Sequence, residues 1–152
     1  MRKTTWVLVA DGARARLLTR TARTDPFVPA LDREFIGSNI PSREIDADRP
    51  GRSFDSAGEG RHAMEPPTDP RRKRKADFAR ELANLLDAEA KRGAFNQLVV
   101  VAPPQALGDL RAEFSDAVRG RVIEEINKDL VEASAEDLTA RLDEALAGTM
   151  LR

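Results

Sequence analysis

Cysteine and tyrosine are absent from this 152-residue chain, and tryptophan and histidine occur once each. Without cysteine there is no disulfide framework, thiol nucleophile or thiolate metal site. A lone histidine, His62, is a poor basis for a transition-metal site. Long apolar runs are missing too. Nothing approaches the ~20 residues that span a bilayer, and Trp6 to Ala10 is shorter than the ~7–15 of a signal-peptide core. Net charge is also nearly absent, at −1, so any polyanion binding must come from a local patch. These absences point to a cytoplasmic protein with no membrane partner. The length suits one domain, residues 1–152, able to bury a core without staples.

What is present begins with "WVLVA", Trp6 to Ala10, an almost continuous apolar strand of the kind buried on both faces. Alternation follows, with Ala13, Ala15 and Leu17 on one side and Arg14, Arg16 and Leu18 on the other. Asp11-Gly12 between the two runs predicts a two-residue type I′ hairpin turn. Arg14 and Arg16 would guard the hairpin's exposed edge against open-ended pairing, leaving a specific homodimer open. A third strand is expected over residues 32–36.

Residues 37–70 lack periodicity and are rich in Gly, Pro, Ser and Asp. The segment is about twice the ~12–15 residues beyond which an irregular loop is usually functional or disordered. Asp69-Pro70 then signals a helix start, with Phe78, Ala79, Leu82, Leu85 and Leu86 at helical spacing and Gly93 as the stop. "LVVVA", Leu98 to Ala102, reads as a second central strand. A helix is expected from Pro103-Pro104 to Gly120, a shorter strand over 122–127, and a last helix behind the capping sequence Ser134 to Asp137. This order predicts an α/β fold: a mixed sheet with flanking helices.

Three features are candidates for function. Asp11 ends the first strand, where a two-metal nuclease would place a carboxylate, and Asp129 follows the last strand. Asp-Gly chemistry alone accounts for Asp11 as a turn residue, and the central strand carries no acid to join it. In the long loop, Gly58, Glu59, Gly60 and His62 form a flexible polar stretch without a phosphate-loop match. The third feature is "RRKRK": Arg71, Arg72, Lys73, Arg74 and Lys75 occupy the first turns of a helix, where the dipole disfavours cations. Such a breach of local rules marks either a solvated face or a polyanion-binding surface. With Phe54 the one aromatic in the loop, stacking partners for bases are scarce and contacts would be to backbone phosphates rather than to bases.

The motifs "WVLVADGARARLL", "RSFDSAGEGRHAMEP", "DFARELANLLDAEA" and "LVVVAPPQALGDLR" together resemble the bacterial host attachment protein family, over essentially the whole chain. The family looks like a stand-alone relative of the middle domain of archaeal and eukaryotic class-1 peptide-chain release factors. That likeness implies a ribonuclease H-like mixed sheet and a loop-plus-basic-helix surface facing ribosomal RNA, where Arg61 and Arg71 to Lys75 would lie. Release factors carry a Gly-Gly-Gln tripeptide in the corresponding loop. Here Gly58-Glu59-Gly60-Arg61-His62 stands instead, so peptidyl-tRNA hydrolysis is not expected. The resulting expectation is a non-catalytic ribosome- or RNA-associated factor, acting without cofactor or metal in rescue, hibernation or regulation of translation. The rival readings are a host-cell attachment protein and a metal-dependent nuclease or other hydrolase using Asp11 and Asp129.

Overall fold

The computed structural model describes residues 3–31, 35–37 and 69–150. Among them the elements run β1 (Thr5–Ala10), β2 (Arg14–Arg20), β3 (Val28–Pro29), β4 (Phe35–Ile36), α1 (Pro70–Lys91), β5 (Gln97–Val101), α2 (Pro104–Glu113), α3 (Asp116–Arg119), β6 (Val122–Ile126) and α4 (Ala135–Met150). The sheet order is β3-β2-β1-β5-β6, with β4 also on β2. β1 lies antiparallel to β2 and parallel to β5, and β5 is parallel to β6. This is the expected mixed sheet flanked by helices.

Alternation along the strands divides the core in two. Trp6, Leu8, Ala15, Leu17, Leu98 and Val100 meet α1, α2 and α3 on one face. Val7, Val9, Leu18, Val99 and Val101 meet Phe27 and the Leu138, Leu142 and Leu146 stripe of α4 on the other. β1 is therefore buried along its whole length, as its unbroken apolar run requires.

β2 differs from expectation, because β3 and β4 pair successively along its outer edge. Its arginines serve the second face instead. Arg16 donates to the carbonyls of Val131 (3.1 Å) and Ala133 (2.5 Å), and Arg14 pairs with Glu132. Arg20 is buried over the Phe27 ring, 4.1 Å from its centroid, and donates to Asp143 on α4 at 2.7 Å. The three side chains tie α4 and its approach to the sheet.

The helix signals at both ends of α1 operate as read. Asp69 accepts from the Arg71 N–H at 3.0 Å, Pro70 follows, and Gly93 takes φ +79°. The single helix expected from Pro103 to Gly120 is instead broken at Phe114, whose backbone is extended. Ser115 causes the break by capping α3 through the Val118 N–H and donating to Asp87 of α1 at 2.6 Å. Ser115 first, and then Lys91, hold the Asp87 carboxyl below its ordinary value of 3.8. A depressed carboxyl stabilises the fold above its ordinary titration range, and that contribution is lost as pH falls through the lowered value. Ser115→Ala is expected to move the Asp87 titration, followed by carboxyl-carbon NMR, back up toward 3.8.

Candidate functional site

α1 is longer than the sheet it covers. Its buried positions begin only at Phe78, and residues 70–77 run on for about 12 Å at 1.5 Å per residue. The core-facing stripe of Phe78, Ala79, Leu82 and Leu86 projects backward at helical spacing onto Lys75, Arg74, Arg72 and Arg71, of which Arg72 and Arg74 are half-buried and Arg71 and Lys75 exposed. At the overhang the helix thus turns a basic side toward the carboxyl ends of β1 and β5.

Two glycines let α1 approach the hairpin. A Cβ on Gly12 would stand 2.7 Å from Lys75 Cδ and 2.9 Å from Cγ, and one on Gly37 would strike the Phe78 ring. Gly12 has no positive φ, so the expected type I′ turn, which needs one at both central residues, does not form. The hairpin instead closes one residue later: Asp11 N–H donates to Arg14 O at 2.9 Å, leaving Gly12-Ala13 at the tip. Asp11 Oδ1 accepts the Ala13 and Arg14 N–H groups, both at 2.7 Å. That Asx arrangement holds the turn and removes the need for left-handed residues.

Under the overhang lies a cleft of about 550 Å³, lined by Asp11, Gly12, Ala13, Lys75, Asp109 and the start of α2 from Pro103 to Ala106. A recess beneath it reaches the apolar Phe78, Ala79, Leu82 and Leu110. α2 begins without a side-chain cap or an acid in its first turn. Pro104 has no N–H and Leu107 donates to Pro103 O, so Gln105 and Ala106 carry the helix's free donors.

The basic run does not act as one unit. Arg72 pairs with Asp109, and Lys73 pairs with Asp77 at 3.1 Å. Among the described residues Arg71 and Lys75 have no ion-pair partner. Arg72 and Arg74 are only partly exposed, and one terminal guanidinium nitrogen of each is buried without a hydrogen bond. Part of the run is therefore built into the protein, which a purely solvated face would not require.

Arg61, Gly58, Glu59, Gly60 and His62 lie outside the described residues. Asp129 does not line the cleft that Asp11 lines. β5 separates their strands, placing the strand ends about 10 Å apart at two sheet spacings. Among the described residues no group of three or more His, Asp or Glu could hold a metal ion. Sequence reasoning missed Asp109, Gln105 and the role of Gly12; the one available signal was a helix opening on Pro-Pro with no capping side chain.

The architecture defines a mixed-sheet α/β protein with a basic helix end above a cleft at its parallel strand ends. The chain belongs to the family described as "Protein required for attachment to host cells", whose model matches residues 6–142. No curated protein matches the chain. Among solved structures it is similar to the archaeal translation termination factor aRF1, with 10% identity and a TM-score of 0.44, covering 97% of this chain and 40% of that one. A second structure, described as an archaeal protein, has 11% identity and a TM-score of 0.43, with 97% and 38% covered. The chain thus spans about two-fifths of the length of the structures it matches. No helix among the described residues is long and apolar enough to cross a membrane.

Proposed function

We propose that this protein is a non-catalytic factor that docks on ribosomal or other structured RNA through the overhanging turns of α1. The observation that carries the reading is the basic stripe itself. Over its first turns α1 carries cations instead of apolar residues: Arg72 and Arg74 are half-buried, Arg71 and Lys75 are exposed, and Arg71 and Lys75 have no ion-pair partner among the described residues. Cations on the first turns of a helix suit a phosphate backbone. The family's description names attachment to host cells; on this reading such an effect is indirect, through altered translation of surface proteins.

Co-sedimentation with bacterial ribosomes across a salt series tests the reading. Binding at low salt should weaken steeply as salt rises. In Arg71→Gln/Lys75→Gln, the slope of log affinity against log salt should fall by about 0.7–0.9 per cation. Arg72→Gln and Lys73→Gln should change it less, because each cation already faces a carboxylate. Salt-insensitive binding that survives neutralising Arg71 to Lys75, or no binding at low salt, overturns the proposal.

A further inference from the structure

The geometry points to the outer edge of β6 as a docking edge for an extended segment of a partner protein, one that carries an acidic and an apolar residue three positions apart. The inference does not depend on RNA docking. β2 has β3 and β4 along its outer side, whereas β6 ends the sheet and no strand among the described residues pairs with its outer side. Such an edge presents unpaired N–H and C=O groups to a further strand. Each of its five residues is half-buried. A bulge at Ile123, which has no partner on β5, and the adjacent Glu124 and Glu125 discourage indiscriminate pairing. An occupant must therefore match the edge.

The match is set by a pocket on each face of the sheet beside β6. On the side of α2 and α3, about 440 Å³ is lined by Arg111, Phe114, Arg119, Val122 and Glu125. Arg111 donates twice to Glu125 Oε1, at 2.8 and 2.5 Å, while Arg119 lies 3.8 Å from a fully exposed Asp116, a pairing that water weakens. Two guanidinium groups against one carboxylate leave this lining net positive, which suits an acidic side chain opposite Val122, away from Glu125. On the α4 side, about 210 Å³ is lined by Ile126, Leu130, Leu142 and Ala145, with charged groups beside them, which suits an apolar side chain opposite Ile126. β5 spans those two levels in three residues, Leu98 to Val101. A strand of the same pitch on the outer side therefore carries its two anchors three positions apart, on opposite faces. Antiparallel pairing of two copies over 122–126 would set Glu124 opposite Glu124 and gather both copies' Arg111 and Arg119 on one face, so a second copy is not the occupant.

The test titrates the capped peptide Thr-Glu-Thr-Thr-Leu-Thr, and the same peptide in reverse order, into the full-length ¹⁵N-labelled protein. Saturable shifts centred on the amides of 122–126, with slowed hydrogen exchange there, are expected from one of the two orders, which also fixes the strand direction. Moving the leucine one place nearer the glutamate puts both anchors on one face and should abolish binding. Arg119→Gln should weaken binding by about two- to fivefold, the range of an exposed ion pair. Ala145 is exposed on α4, so Ala145→Leu fills the groove without disturbing the core and should abolish binding. Equal binding of the two spacings, equal binding when lysine replaces the glutamate, unlocalised shifts, or no saturable binding of either order would overturn the proposal. So would slow exchange at 122–126 in the free protein, or a dimer joined at that edge, since either would show the edge already occupied.

Discussion

Phe95→Ala is expected to lose about 3–5 kcal/mol of stability, the usual range for emptying a buried aromatic position. Phe95 is fully buried and follows directly on the left-handed Gly93 turn that ends α1. Its ring stacks on Trp6 with centroids 5.0 Å apart and 28° between planes. The side chain thus joins the helix end to β1 at the opposite end of the sheet from the cleft. Trp6 is the sole tryptophan and tyrosine is absent, so intrinsic emission reports this contact without interference. Urea unfolding followed at that emission should show a large fall in midpoint at an unchanged slope. Phe95→Leu, which keeps most of the volume, should cost less than about 1.5 kcal/mol. A loss below about 1 kcal/mol for the alanine variant would mean that the site collapses around the gap.

The second large effect concerns a charge. Asp143→Ala is expected to cost about 2 kcal/mol by leaving Arg20 buried without its carboxylate. A fully buried pair typically loses ~3–5 kcal/mol when one partner is removed. Here the Arg20 side chain is 3% exposed but Asp143 is 49% exposed, so water recovers part of the loss. Phe27 beneath the guanidinium and the Asp25 carbonyl at 3.4 Å remain as weak partners. Replacing both residues, Arg20→Met with Asp143→Leu, should restore stability to within about 1 kcal/mol of the parent, since apolar replacement of a buried pair is often neutral. Equal losses in the single and double variants would show that packing of the arginine stem, rather than pairing, holds α4.

The features legible in the sequence are those whose causes are local. Asp69-Pro70 and Gly93 bound α1 through groups within a few residues of each other, and β1 and β5 announce their double burial by unbroken apolar runs. Ser115 could not be read in the same way. The carboxylate that helps fix it, Asp87, is on another helix, and within its own segment the apolar spacing continues through Phe114 as if the helix did. β3 and β4 are too short to show a period. The candidate site was half legible. The basic run and its conflict with the helix dipole stand in plain view, while the cleft depends on how far α1 projects past the sheet. Gly12 was read for its own backbone, yet what requires a glycine there is a lysine 63 positions later in the chain.

The arginine ties from β2 bear on how the chain is made. Arg14, Arg16 and Arg20 reach residues 131–143, and the core leucines of α4, Leu138, Leu142 and Leu146, lie within or just after that stretch. During synthesis, the sheet surface formed by Val7, Val9, Val99 and Val101 stays uncovered until that stretch has emerged. A nascent chain halted before it would carry a formed hairpin whose Arg16 and Arg20 still lack their partners on that stretch, beside a bare apolar face. Chaperone engagement should therefore peak late in translation and end when α4 docks.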